Sequence, residues 1–133
     1  MQDQELKEIL RHSKTIVIVG CSSTPFKSAH EIPKFLKNVG YKIIPVNPNS
    51  KEIFGEKSYP SIKEISSEVD IVNIFRPSEE VLAIVKDAIK IKPKVIWMQL
   101  GIENKEAKEL AEKNSIKVVM NKCLMVEYER LIG

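Results

Sequence analysis

The residues best suited to bind an anion lie together near the N-terminus. Lys14 to Ser28 reads KTIVIVGCSSTPFKS: a β-branched run, a glycine, a small polar segment and the start of a helical pattern. A buried strand that feeds a small-residue loop at a helix N-terminus brings unpaired N–H groups and the positive end of the helix dipole together. The spacing predicts a phosphate site at this turn. Its candidate residues are Gly20, Cys21, Ser22, Ser23, Thr24, Pro25, Lys27 and Ser28.

Two well-known phosphate motifs do not fit this loop. The dinucleotide pattern GxGxxG fails because only Gly20 is present, and Asn47-Pro48 follows the second strand where a carboxylate would hold a ribose diol. The Walker A pattern fails because Lys27-Ser28 comes one residue late and no second glycine precedes it. The remaining interpretation is a serine-rich turn that holds phosphate without a metal. Lys51 keeps one alternative open, an NAD(P)-binding or redox-sensing protein.

Apolar runs and helical patterns alternate along the chain. They predict strands at 15–20, 42–46, 57–59, 70–75, 94–98 and 115–120, and helices at 3–12, 29–39, 78–91, 105–113 and 122–131. Ser28 and Glu31 fit a capping box for the second helix. Short apolar strands are typical of a parallel sheet covered on both faces. We therefore expect a single-domain, doubly wound, Rossmann-like α/β fold of strand order 3-2-1-4-5-6.

In that order, four segments meet at the carboxyl ends of the strands, where ligands bind such sheets. Beyond the first loop, the candidates there are Asn47, Pro48, Lys51, Phe75, Arg76, Pro77, Ser78, Gln99, Leu100 and Gly101. Lys27 and Arg76 are the candidate cations, although Arg76 could instead pair with Glu79 or Glu80. Cys21 is most simply explained as a small buried residue under the loop.

Composition limits the class of protein. With 43% hydrophobic and 29% charged residues the chain resembles an ordinary soluble domain, and a net charge of +3 with interleaved signs argues against nucleic acid. No apolar run approaches the ~18 residues of a membrane span. Cys21 and Cys123 are far apart, which favours free thiols and a cytoplasmic location without a metal site. His12 and His30 have no partner that would complete a catalytic set.

Four segments in order resemble the single-domain CoA-binding proteins, the YccU-like family. They are GCSSTPFKSAHEIPKFLKNVGYKIIPVNPNSKEIFGEKSYPSIKEI, VDIVNIFRPSEEV, VIWMQLGI and VVMNKCLMVEYERL. The same fold forms the CoA-binding domain of succinyl-CoA synthetase α subunits. The resemblance implies contacts to coenzyme A from Gly20 to Lys27, from Asn47-Pro48 with Lys51, and from Gln99-Leu100-Gly101. It implies binding of CoA or an acyl-CoA without ligase chemistry, because the larger relatives carry their catalytic histidine in a second domain. A homodimer or an unknown protein partner is compatible with it.

Overall fold

Five helices and seven short strands alternate along the chain, which a computed structural model describes from Met1 to Gly133. The helices are α1 (Asp3–His12), α2 (Ser28–Asn38), α3 (Val81–Ala88), α4 (Lys105–Lys113) and α5 (Leu124–Leu131). The strands are β1 (Thr15–Val19), β2 (Lys42–Val46), β3 (Glu52–Ile53), β4 (Glu56–Lys57), β5 (Ile71–Ile74), β6 (Val95–Met98) and β7 (Lys117–Val119). Three 3-10 turns complete the elements, at Ile62–Glu64, Ser78–Glu80 and Ile89–Ile91.

The main sheet is parallel throughout, in the order β2-β1-β5-β6-β7. The doubly wound α/β fold is confirmed, with one correction to the predicted order. The expected third strand at 57–59 is a single bridge between Tyr59 and Val46, because Lys57 pairs with Glu52 in a separate β3–β4 hairpin. Pro60 follows at once and has no N–H to extend the bridge.

Pro45 is tolerated in β2 because of where its missing donor would point. The N–H and C=O of one strand residue face the same neighbour, and the Pro45 carbonyl accepts from the Tyr59 N–H at 3.0 Å on the outer side. The lost donor therefore lies at the sheet edge, and no hydrogen bond to β1 is sacrificed.

Side chains that alternate along the strands build a core on each face of the sheet. Val17 and Val19 of β1 face α3 and α4, whereas Ile16 and Ile18 face α1, α2 and α5. The fully buried Trp97 lies in the second core and donates its indole N–H to the Lys122 carbonyl at 2.7 Å. The helices are thereby fixed on a rigid platform whose carboxyl edge is free to carry a site.

The amino edge of the sheet is tied together by Asp70. Its carboxylate accepts from the N–H groups of Lys14 at 2.7 Å and Thr15 at 3.0 Å, and it pairs with Lys94 at 3.1 Å. Burial opposes ionisation of Asp70, but these donors outweigh it and hold its pKa below the usual range. One carboxylate thus joins the starts of three adjacent strands.

Element boundaries depart from the predictions mainly at 3-10 turns. The helix expected over 78–91 is α3 flanked by the turns Ser78–Glu80 and Ile89–Ile91, and the closing helix begins at Leu124 instead of Lys122. Asn104 caps α4, since its side chain accepts from the Ala107 N–H at 2.9 Å. None of the helices has the length and apolar character that crossing a bilayer requires.

Candidate anion-binding cleft

A cleft opens at the carboxyl ends of β1 and β2 and continues between residues 60–62 and α3. Its volume is about 660 Å³, within the range of small-molecule sites, roughly 300–1,000 Å³. Its lining residues are Val19, Gly20, Cys21, Ser22, Lys27, Ala29, Val46, Asn47, Pro48, Asn49, Pro60, Ser61, Ile62, Phe75, Arg76, Glu80, Ala83, Ile84 and Asp87. The structure therefore brings eight of the predicted residues together: Gly20, Cys21, Ser22, Lys27, Asn47, Pro48, Phe75 and Arg76.

The first loop (residues 20–27) leaves backbone donors without partners at the cleft wall. The N–H groups of Cys21, Lys27 and Ala29 have no acceptor in the protein, and all three residues line the cleft. Lys27 is the N-cap of α2, and no side chain caps this helix. The positive end of α2 is therefore left open to an outside acceptor.

The predicted capping box at this helix is wrong. Ser28 is the first residue of α2 instead of its N-cap, and Glu31 does not accept from the Ser28 N–H as a capping box requires. The Glu31 carboxylate instead accepts from the N–H of Phe26 at 3.1 Å. That bond anchors Phe26, which has a φ of +75° and a side chain almost fully exposed. The N-cap residue, Lys27, has no acceptor in its side chain, so the N-terminus of α2 is uncapped.

Two polar side chains hold the first loop in shape. Nδ1 of His30 donates to the Ser22 carbonyl at 2.8 Å, and Nδ2 of Asn47 donates to the Cys21 carbonyl at 2.9 Å. The Ser22 N–H closes the loop onto the Ala29 carbonyl at 2.9 Å. Both loop carbonyls are thereby occupied, and the unpartnered N–H groups keep a fixed arrangement. Asn47 and His30 act as positioning residues for the loop.

Positive and negative side chains share the cleft. Lys27 is exposed and takes part in no ion pair. Arg76 donates from Nε and Nη2 to the two carboxylate oxygens of Glu80 at 3.1 and 3.0 Å, the ion pair that sequence reasoning held open. Asp87 adds a second carboxylate, 3.9 Å from Lys63. Cations therefore flank the first loop, and acids lie along α3.

Cys21 is buried beneath the first loop, and the interpretation of it as a small core residue is confirmed. Burial raises the pKa of its thiol to about 12. The side chain is consequently a neutral thiol at physiological pH, since thiolate character requires a lowered pKa. Cys21 therefore contributes only its backbone N–H group to the cleft.

Several predicted residues lie outside the cleft lining. Ser23, Thr24 and Pro25 form the exposed tip of the first loop, and Lys51 is exposed just before β3. Pro77 is the N-cap of the turn Ser78–Glu80, and the Ser78 hydroxyl accepts from the Glu103 N–H at 3.1 Å. Ser78 thus connects this turn to the segment before α4.

The segment after β6 is also outside the lining. Gln99 is 3% exposed, and its side chain donates to Oδ1 of Asn73 at 3.0 Å. Nδ2 of Asn73 is buried without a partner. Leu100 is 70% exposed, and the Gly101 N–H is held by the Asn121 side chain. The loop after β6 therefore presents the exposed side chain of Leu100. The Gln99 side chain is instead directed into the protein, toward Asn73.

Sequence reasoning missed the far half of the cleft. Pro60, Ser61 and Ile62 face Ala83, Ile84 and Asp87, which recur at i, i+1 and i+4 on α3. Helical spacing places these three α3 residues on one side, but their neighbours across the cleft depend on how the segment after the Tyr59 bridge turns. The only signal in the sequence was the Pro-Ser pair that begins that turn.

Comparison with known proteins identifies the family. A family model described as a CoA binding domain matches residues 14–129, almost the whole chain. The chain belongs to this CoA-binding family. An uncharacterized Bacillus subtilis protein, YneT, is 39% identical over 124 residues, which are 93% of this chain and 92% of that protein. The solved structure of a hypothetical protein from Pyrococcus horikoshii OT3 has a TM-score of 0.96 at 37% identity, covering 100% of this chain and 94% of that one.

The family also includes parts of larger enzymes. The ADP-forming acetate–CoA ligase of Methanocaldococcus jannaschii is 34% identical over 132 residues, which are 92% of this chain and 18% of the ligase. This member of the CoA-binding family therefore spans less than a fifth of the ligase. The similarity relates this chain to one portion of that enzyme.

Proposed function

We propose that this protein binds coenzyme A, free or acylated, through its phosphates at the start of α2, and catalyses no reaction of its own. One observation carries the proposal: the unpartnered N–H groups of Cys21, Lys27 and Ala29 line a cleft at an uncapped helix N-terminus. The match of residues 14–129 to a CoA binding domain supports coenzyme A as the ligand class.

The chemistry of the ligand suits this cleft. Coenzyme A has a diphosphate and a 3′-phosphate, which are strong acceptors for N–H groups at a helix N-terminus. The unpaired Lys27 ammonium lies at the same wall and adds a charge-assisted contact. A neutral ligand of similar size gains little from these donors.

The far half of the cleft suits the nucleotide base. Ile62, Ala83 and Ile84 are apolar, and Asp87 supplies an acceptor at their side. We assign the adenine end of the ligand to this slot, with the phosphates at the first loop. The pantetheine arm then leads toward the exposed tip at Leu100 and Gly101, since the Gln99 N–H bonds to the Ile74 carbonyl and holds that tip beside β5.

A binding role without chemistry is supported by how the reactive groups are used. His30 is engaged with the Ser22 carbonyl, and His12 pairs with Glu8 at 2.9 Å on the surface of α1. The Cys21 thiol is buried and neutral. General acid–base or nucleophilic catalysis needs a base within hydrogen-bond reach of the reacting group, and these residues do not form such a pair.

Isothermal titration calorimetry with CoA tests the proposal. Saturable binding is expected that weakens as salt is raised, because phosphate contacts at an open cleft are screened. Lys27→Glu should weaken binding clearly more than Lys34→Glu, a matched charge reversal at an exposed, unpaired lysine on the same helix. A folded wild-type protein that shows no saturation with CoA at low salt would refute the function.

Three further ligands separate the alternatives. NADPH should fail to displace CoA. The analogue 3′,5′-ADP, which keeps the adenine base, the 3′-phosphate and one 5′-phosphate of CoA, should compete, whereas pantetheine alone should not. Denaturing mass spectrometry of the purified protein distinguishes free CoA from an acyl form. Tight binding of NADPH at the same cleft would favour the NAD(P) alternative.

A further inference from the structure

The guanidinium of Arg76 is already paired with a carboxylate of the protein. Its Nε and Nη2 donate to both carboxylate oxygens of Glu80, at 3.1 and 3.0 Å, and both residues line the cleft. A planar guanidinium fork recognises carboxylate and phosphate with the same two-point geometry. The Glu80 carboxylate therefore fills the position that a ligand phosphate needs.

The arginine is held at the first loop by contact with Gly20. A Cβ added at Gly20 would lie 3.0 Å from Cδ and 3.4 Å from Cγ of Arg76. The aliphatic stem thus packs directly on the loop backbone, beside the unpartnered N–H group of Cys21. This packing places the stem of Arg76 at the cleft wall.

We infer that Glu80 is an intramolecular competitor for Arg76, a specificity-determining residue that ligand phosphate must displace. The inference rests on the proposed function and extends it to selection among ligands. A ligand phosphate can replace the carboxylate because it offers the guanidinium the same two-point contact, whereas an uncharged group gains no charge-assisted bond from the exchange.

The exchange costs little because Glu80 has a second favourable environment. The two side chains are 47% and 46% exposed, and an ion pair this open is weak. Glu80 is also the N-cap residue of α3, a helix without a side-chain cap. A released carboxylate therefore remains at the positive end of that helix.

A double-mutant cycle with CoA as the probe tests this role. Glu80→Gln keeps the shape of the side chain and removes its charge, so it should lower the Kd for CoA by about two- to fivefold, the worth of an exposed ion pair. In an Arg76→Gln background the same substitution should change the Kd by less than about 1.5-fold, because the contested guanidinium is gone. Glu80→Ala provides a second removal of the charge, and thermal unfolding checks that each variant is folded.

Each other result overturns the inference. Weaker CoA binding by Glu80→Gln and Glu80→Ala would make Glu80 a positioning residue that orients Arg76. An equal gain in both backgrounds would reduce Glu80 to general charge repulsion of the ligand. These outcomes are distinct from failure of the proposed function, in which the folded wild-type protein does not bind CoA at all.

Discussion

Replacing Gly20 by alanine tests how the first loop, Arg76 and the cleft depend on one another. Gly20 has a φ of +86°, a left-handed conformation that costs a non-glycine residue roughly 1–2 kcal/mol. The new methyl group would also lie 3.0 Å from Cδ of Arg76 and 3.3 Å from the Phe75 carbonyl oxygen. Overpacking of this kind adds about 1 kcal/mol or more, or it pushes Arg76 away from the loop.

Gly55 provides the matched control. It has a similar φ of +75° in the β3–β4 turn, and an added Cβ there meets nothing within 4 Å. Gly55→Ala should therefore be destabilised by the backbone strain alone. In urea unfolding, Gly20→Ala should lose about 1 kcal/mol more stability than Gly55→Ala, with the denaturant slope unchanged in both.

The ligand titration gives the second half of the test. Gly20→Ala should raise the Kd for CoA by about three- to tenfold, the worth of roughly one disturbed hydrogen bond in the cleft, whereas Gly55→Ala should bind like the wild type. The reasoning is refuted if Gly20→Ala keeps wild-type affinity and is no less stable than Gly55→Ala, because the close approach of Arg76 would then have no consequence.

Three other outcomes are expected. Asn47→Ala should weaken CoA binding by about three- to tenfold in calorimetry, since it frees the Cys21 carbonyl and loosens the loop, worth roughly 1 kcal/mol; unchanged affinity would contradict this. A thiol reagent at pH 8 should label Cys123 but leave Cys21 unmodified until urea unfolds the protein, because burial raises the Cys21 pKa to about 12; equal labelling rates by mass spectrometry would contradict it. Asp70 has a folded pKa below its unfolded value, so its stabilisation is complete above pH ~4 and is lost as pH falls through the folded pKa. Asp70→Asn should therefore be less stable than wild type in urea at pH 7, with the difference shrinking below pH ~4; a constant difference would contradict this.

Local pattern was sufficient to predict the main sheet. The β-branched run at Thr15–Val19 and the helical spacing of the following segment fix a strand, a loop and a helix without knowledge of the partners. The predicted strand at 57–59 was wrong because its pairing depended on a choice between two neighbours, β2 and the hairpin strand Glu52–Ile53. The spacing of residues in the sequence does not indicate which of these two strands the segment pairs with.

The candidate site was less accessible to sequence reasoning. The first loop was recognised from its composition, but the position of the N-cap at Lys27 and the hydrogen bond from the Phe26 N–H to Glu31 depend on the three-dimensional path of the loop. Gln99 was assigned to the ligand edge, yet its side chain turns inward to Asn73. Glu80 and Asp87 were missed at the cleft because the packing angle of α3 decides which of its faces borders it.

Binding of coenzyme A as proposed requires its phosphate oxygens to reach the backbone N–H groups at the start of α2. Titration of ¹⁵N-labelled protein with CoA, followed by amide NMR, measures those donors directly. The amide resonances of Cys21, Lys27 and Ala29 are expected to shift on saturation, with the same midpoint as the calorimetric Kd. CoA binding that leaves these three amides unmoved while others shift would contradict it.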